Sequence, residues 1–148
     1  MTSHQEAPAA VSPALYQEIQ QFYASHVRTV DEGRPDAWAA DFTEDAVFGT
    51  NGRPEPLVGR ETIRRNAQEA AQRLRTEGIA RRHWLGMLEA YQQPDGSVLA
   101  RTYTQIIRTP PGGPSQLELA CLCEDVLVRE GGRLLVHRRQ VNRDDLPS

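Results

Sequence analysis

A single carboxylate on an otherwise apolar strand face is the first feature of this chain that could do chemistry. Residues 117–127 contain no Pro or Gly and predict one long strand. Side chains alternate along a strand, so one face carries Leu117, Leu119, Cys121, Cys123, Asp125 and Leu127. An unpaired buried carboxylate costs on the order of several kcal/mol. Asp125 is therefore expected to meet a cation, a proton or a water-lined cavity.

His83 and Asp31 form a second candidate pair. His83 shares a predicted strand face with Leu85 and Met87. An imidazole titrates near neutral pH and suits proton transfer, although a core histidine bonded to a backbone carbonyl is the simpler interpretation. Asp31 ends the first predicted helix, where a carboxylate is unfavourable with the helix dipole. If Asp31 approaches His83, it would orient the ring and hold one tautomer.

Two interpretations of Asp125 remain open at this stage. It forms a buried ion pair with Arg139 or Arg108 that holds the strands in register, or it serves as a second acid–base group. An inward-facing Arg139 could also hold a substrate carboxylate or stabilise an enolate oxygen.

The elements that must position these residues follow an α+β order. A helix is predicted from Pro13 to about Gly33, because Ser12 and Pro13 are typical of a helix start. A short helix from Pro35 carries Trp38 and Phe42 on one face. A strand over 45–50 and a helix over 59–77 follow. Four long strands, over 79–91, 98–108, 116–129 and 133–141, are separated by Gly- and Pro-rich turns and predict an antiparallel meander.

The length of 148 residues predicts one domain over 13–142, with a disordered leader over 1–12 and a polar tail over 143–148. The predicted leader has neither a cationic start nor an apolar core, so we do not expect it to act as a signal peptide, and no apolar run is long enough to predict a membrane span. Cys121 and Cys123 are spaced at or beyond the edge of disulfide geometry and are expected to be reduced in a cytoplasmic protein.

Composition excludes several function classes. The net charge is −3, so no global basic field favours nucleic acid. All 17 cationic residues are Arg, which excludes lysine Schiff-base chemistry. The absence of CxxC and HExxH motifs disfavours a zinc site.

The chain resembles the SnoaL-like branch of the NTF2-like superfamily, over about residues 14–145. The matching segments are 30–38, 41–48, 59–63, 82–84, 125–132 and 138–139. This resemblance implies a cone-shaped half-barrel with three N-terminal helices packed on a curved antiparallel sheet. It also implies a closed apolar pocket with a few acid–base residues and no metal or organic cofactor.

Within this branch the chain is most similar to scytalone dehydratases. Their pocket Asp matches Asp31, and a pocket His matches His83. The chain departs at Val30, Arg108 and Cys123, where that group has Tyr, His and Asn. These differences argue against the same substrate but leave the Asp–His pair in place. The predicted catalytic residues are Asp31, His83, Asp125 and Arg139, and the predicted substrate-binding residues are Tyr23, Trp38, Phe48, Met87, Thr104, Arg108 and Cys123.

Two functions from different classes follow. The first is a cofactor-independent cyclase, isomerase or dehydratase acting on a hydrophobic, polyketide-like metabolite. The second is a non-catalytic ligand carrier or a scaffold subunit like the small subunit of ring-hydroxylating dioxygenases. Epoxide hydrolysis or epoxide-opening ring closure by Asp31, Arg139 and Asp125 also stays open. In the scaffold alternative the outer sheet face serves assembly, with interface residues Arg82, Trp84, Leu88, Leu122 and Val126. Either function allows a homodimer through this face.

Overall fold

In a computed structural model of the protein, the structure is described for residues 8–148. Three helices, α1 (Pro13–Asp31), α2 (Pro35–Ala39) and α3 (Arg60–Glu77), come before or between the early strands. The Ser12 side chain accepts a hydrogen bond from the Leu15 amide and caps α1, as its sequence predicts. Gly78, at φ 68°, ends α3 in the left-handed conformation that glycine adopts without strain.

Seven strands form one curved, unclosed sheet. They are β1 (Ala9–Ala10), β2 (Phe42–Thr50), β3 (Leu57–Val58), β4 (Ala80–Gln92), β5 (Val98–Thr109), β6 (Gln116–Glu130) and β7 (Arg133–Arg143). The spatial order is β1-β4-β5-β6-β7-β2-β3. The predicted antiparallel meander is confirmed over β4 to β7. Helices packed on this sheet give the α+β half-barrel that the sequence predicts.

Three local details differ from the sequence-based expectation. Of the leader predicted over residues 1–12, residues 1–7 lie outside the described part, and Ala9–Ala10 pairs with β4 as a short strand. Phe42 opens β2 instead of extending α2. β2 pairs in parallel with β7, which brings Phe48 opposite Arg139. Without β1, the backbone N–H and C=O groups along the outer edge of β4 would be unpaired, and β1 satisfies some of them.

A β-bulge in β4 overturns the predicted orientation of Met87. Gly86 pairs with Tyr103 and Glu89 pairs with Arg101, so β4 has one residue more than β5 in this interval. The bulge shifts the alternation by one residue, which is how bulges redirect side chains. Met87 is consequently 74% exposed, with φ 54°, and Leu88 packs against the core in its place. Neither Met87 as a pocket residue nor Leu88 as an outer-face residue agrees with this geometry.

The core lies between the helices and the concave face of the sheet. Ile19 of α1, Ile63 of α3, Phe42 and Leu127 are fully buried there. Trp38 packs edge-on against Phe42 with ring centroids 4.8 Å apart, although the two rings come from different elements. No helix in residues 8–148 combines the length and the apolar character needed to cross a bilayer.

His26 is a buried histidine inside this aromatic core. Its ring stacks on Phe22 and Trp38, with centroids 5.4 and 5.7 Å away, and its Nδ1 lies 2.9 Å from an Asp41 carboxylate oxygen. Burial, followed by the nearby Arg139 charge, lowers the pKa of His26 from 6.5 to about 4. The folded protein therefore holds this ring neutral.

Acid should destabilise the fold through His26. As pH falls from about 6.5 to about 4, the His26 imidazole is protonated in the unfolded chain but stays neutral in the folded protein. This difference lowers the free energy of unfolding by about 3 kcal/mol. The free energy of unfolding, measured by urea titration across this range, should fall less in His26→Phe than in the wild type. His137→Gln, a change at a half-exposed histidine, is the control; an equal pH slope in His26→Phe and wild type would contradict this account.

Candidate active site

A small cavity lies at the centre of the molecule, between α1 and the concave sheet face. Its volume is about 150 Å³. Strand alternation supplies most of its wall, since Thr104 and Cys123 point inward from adjacent strands. Three of the four predicted catalytic residues, His83, Asp125 and Arg139, line it together. The fold thus brings together these three side chains, which are distant in the sequence, whereas Asp31 is not among the lining residues.

Asp125 lies at the bottom of the cavity and is 2% exposed. The Nε and Nη2 groups of Arg139 each donate to one of its carboxylate oxygens, both at 2.9 Å. The Tyr23 hydroxyl donates to Oδ2 at 2.7 Å. This bidentate pair with an added hydroxyl satisfies the buried charge that the sequence singled out. Of the two alternatives for the cation, the structure selects Arg139, the cross-strand neighbour of Asp125 on β7.

The pairing also fixes the states of its two partners. The Arg139 guanidinium lies over the rings of Phe42 and Phe48, 5.0 and 5.6 Å from their centroids, which adds cation–π attraction. Burial, followed by the Asp125 charge, raises the pKa of Tyr23 well above 10, so its hydroxyl keeps its proton at neutral pH. This wall of the cavity thus presents an ion pair and a neutral phenol.

His83 and Asp31 form the second polar group, at the mouth of the cavity. Asp31 is the last residue of α1, where it approaches the start of β4. One carboxylate oxygen lies 2.6 Å from His83 Nδ1, and the other accepts the His83 backbone amide at 3.0 Å. Two anchors on the same residue orient the imidazole. With a proton on Nδ1, the ring would have a free lone pair at Nε2.

Asp31 itself does not line the central cavity. It borders an outer crevice of about 450 Å³ between α1 and β4, which shares Tyr23, His83 and Leu85 with the cavity wall. The Asp31 side chain is 12% exposed and that of His83 is 24% exposed. His83 therefore lies between the crevice and the cavity. Asp31 hydrogen-bonds to its ring from the side of the crevice.

The predicted substrate-binding residues divide into two groups. Five of them line the cavity: Tyr23, Trp38, Phe48, Thr104 and Cys123. Met87 does not, because the bulge turns it outward. Arg108 lies near the end of β5, on the same strand face as Ile106. It does not line the cavity, because it lies beyond Ile106, the last lining residue of this strand. Burial raises the pKa of Cys123 to about 12, so this residue contributes a neutral thiol.

Several lining residues were not named as substrate-binding by the sequence analysis. Val27 and Val30 follow Tyr23 at helical spacing on α1, and this spacing could have indicated them. On the strands, Thr102 lies two residues from Thr104, and Val141 lies two residues from Arg139. Side-chain alternation could therefore have indicated both. Among residues 8–148, no cluster of three or more His, Cys, Asp or Glu side chains has a geometry that could hold a metal ion.

The α+β half-barrel architecture is shared with known proteins. The sequence profile described as "SnoaL-like domain" matches residues 14–140. The chain therefore belongs to the SnoaL-like family. A comparison with curated proteins gives no significant match.

Solved structures agree with this assignment. Aln2 from a Streptomyces species is 34% identical, with a TM-score of 0.85 over 92% of this chain and 95% of Aln2. A protein from Catenulispora acidiphila in complex with S-DNPA is 38% identical, with a TM-score of 0.80 over 90% of this chain and 96% of that chain. A putative scytalone dehydratase from Novosphingobium aromaticivorans shares the fold, at 16% identity and a TM-score of 0.74 over 88% and 84%.

Removing one member of the buried pair should cost far more than removing both. Asp125→Leu leaves Arg139 buried without its carboxylate, and such changes lower the free energy of unfolding by about 3–5 kcal/mol. The double variant Asp125→Leu with Arg139→Met should recover most of this loss. Denaturant titration of the wild type, both single variants and the double variant measures the coupling. Additive losses would show that the pair contributes nothing beyond its separate side chains.

Proposed function

We propose that this protein is a cofactor-independent acid–base enzyme, a cyclase, isomerase or dehydratase, whose substrate is a hydrophobic, oxygenated, polyketide-like metabolite. The observation that carries the proposal is the doubly anchored His83–Asp31 pair on a cavity whose opposite polar wall is Arg139–Asp125–Tyr23. Membership of the SnoaL-like family supports the same class of function.

His83 is the proton-transfer group in this proposal. Its Nε2 takes a proton from a carbon next to a substrate carbonyl, and the electron pair of the broken C–H bond forms an enolate. Asp31 stabilises the resulting imidazolium through the Nδ1 hydrogen bond. The ring then returns the proton: to a departing hydroxyl, which leaves as water in a dehydration, or to another substrate atom in an isomerisation or ring closure. The ring ends each cycle in its starting state.

The opposite wall supplies charge stabilisation. Arg139 uses two of its nitrogens to bind Asp125, so the guanidinium is held in place before substrate enters. The Tyr23 hydroxyl and the guanidinium face a cavity in which apolar side chains exclude water. We assign the remaining N–H groups of the guanidinium to a substrate oxygen that becomes negative during enolate formation, whereas the single Tyr23 hydroxyl proton stays on Asp125 and helps to hold the pair. Because its oxygens are already bound, Asp125 acts by positioning Arg139 and Tyr23.

A ligand carrier is the competing function, and one observation favours it. The inward charge of Asp125 is already neutralised by Arg139, as a binding protein without catalysis would require. The carrier account gives no role to the hydrogen bond that orients the His83 ring, or to the backbone amide of His83 that holds the Asp31 carboxylate in place for it. For that reason the enzyme is the preferred proposal.

Loss of the imidazole should remove proton transfer. S-DNPA, the compound bound to the Catenulispora acidiphila protein, is a first probe, incubated with the enzyme in D₂O and analysed by mass spectrometry for deuterium uptake. His83→Asn should slow uptake by roughly 10²–10⁴-fold, the usual contribution of a positioned general base. His137→Asn, at a half-exposed histidine outside the cavity lining, is the matched control. Undiminished uptake in His83→Asn would exclude His83 from the mechanism.

We further propose a homodimer through the outer face of the sheet. Trp84, Tyr103 and Leu122 lie on neighbouring strands of this face, and 68%, 60% and 47% of their surfaces are exposed. Tyr103 pairs directly with Leu122, so the exposed groups are contiguous. Exposed apolar patches of this kind mark interaction sites, and a second copy of the same face supplies a matching surface.

A charge in this patch should separate the subunits. Tyr103→Glu is expected to shift the mass measured by light scattering from that of a dimer to that of a monomer, because two like charges would be buried at the interface. Val58→Glu introduces the same charge at an exposed apolar residue of β3 and should leave the dimer intact. A monomeric wild type would reject the interface.

A further inference from the structure

The central cavity is much smaller than the substrates that the proposed function implies. A dry apolar cavity of about 150 Å³ holds one benzene-sized ring, whereas sites for drug-sized ligands measure about 300–1,000 Å³. Any larger molecule that uses this cavity must continue into an adjoining space. This inference rests on the proposed function of the cavity, and it concerns where the part of the substrate that does not fit in the cavity lies.

One adjoining space is a groove between α1 and β4, which we call the bulge groove. Its inner part, about 380 Å³, shares Tyr23, Leu85 and Thr102 with the cavity wall. Its outer part, about 400 Å³, continues from Tyr16 and Leu88 toward Val11 and Tyr91. The groove is therefore adjacent to the cavity, and the three shared side chains form the wall between them.

The bulge at Met87 shapes this groove. Met87 and Leu88 together occupy the place opposite Thr102, since the flanking pairs Gly86–Tyr103 and Glu89–Arg101 are regular. Bulges bend the strand that contains the extra residue. Met87 adopts φ 54°, an uncommon conformation for a residue other than glycine, so the surrounding structure maintains a local strain here. Such strain beside a cavity is consistent with a functional constraint on the strand.

The chemistry of the groove favours a neutral, apolar occupant. Its polar groups are largely bonded to one another: the Tyr16 hydroxyl donates to the Leu88 carbonyl at 2.9 Å and accepts from Gln20 at 3.3 Å. The outer part is lined mainly by apolar groups of Ala10, Val11, Pro13, Leu88 and Ala90, with Glu89 at the rim. A carboxylate there disfavours an anionic ligand.

We propose that the bulge groove is a second subsite, which binds the neutral alkyl or acyl tail of a molecule whose ring lies in the cavity. The tail passes between Leu85 and Thr102, since Tyr23 is held by its hydrogen bond to Asp125. The inner and outer parts then set the length of the tail. Leu88, which packs inward and lines both parts of the groove, becomes a residue that determines specificity, and Met87 acts by creating the bulge.

A homologous series of 4-alkylphenols tests this subsite. The phenol ring fits the cavity, so calorimetric titration from 4-methylphenol to 4-hexylphenol reports on the tail alone. In the wild type, each added methylene should lower the Kd about fourfold, as expected for a buried CH₂. A Kd that does not fall with chain length would overturn the proposal.

Two variants locate the tail. Deletion of Met87 would place Leu88 opposite Thr102 and keep both flanking pairs, thereby straightening β4 and narrowing the groove. Leu88→Trp fills the groove and keeps the number of residues in β4, and Leu88 lines neither the outer crevice nor the cavity. In both variants the gain per methylene should disappear, while 4-methylphenol still binds. Gln21→Trp, at an exposed position of α1 that does not line the groove, should keep the full gain.

The outcomes separate this proposal from the catalytic one. Thermal melting verifies that each variant is folded, and Leu88→Trp remains decisive if the deletion variant is not. A fourfold gain per methylene that persists in the folded variants would reject the bulge groove, because the tail would then lie elsewhere. Phenol binding needs no proton transfer, so a chain-length effect confined to the groove stands even if His83→Asn retains deuterium uptake.

Discussion

The buried ion pair between Asp125 and Arg139 is the interaction on which the rest of the site depends. A carboxylate at 2% exposure is tolerated only because both oxygens are bound, one of them twice. The pair joins β6 to β7, and through Tyr23 it joins both to α1. The same contacts place a guanidinium and a phenol against a cavity that is otherwise apolar. Stability and chemistry therefore draw on one set of hydrogen bonds.

The two polar groups of the cavity are kept apart for a physical reason. Asp31 binds His83, and Asp125 binds Arg139. Each carboxylate therefore has its own cationic or proton-exchanging partner. The separation gives one wall a group that can exchange protons and the other wall a permanent charge. Division of roles by environment is how acid–base sites assign functions to residues of the same type.

Curvature links this site to the remainder of the molecule. The bulge in β4 reverses the alternation after Gly86, so that Leu88 packs inward and Met87 points to solvent. The parallel pairing of β2 with β7 brings Phe48 over Arg139 and closes the other side of the cavity. Neither feature contributes a catalytic group, yet together they determine the shape of the space in which such groups act.

The sequence alone determined the element order, the meander and the face on which Asp125 lies, because period-two alternation and Gly or Pro turns are local signals. It also indicated Asp31 and His83, through a resemblance that residue types could carry. Tertiary structure alone decided that Arg139, and not Arg108, pairs with Asp125, that Tyr23 joins them, and that His26 is buried. It also turned Met87 outward. Cross-strand register, a bulge and helix packing depend on contacts between distant residues, and no local pattern encodes which of several possible partners will meet.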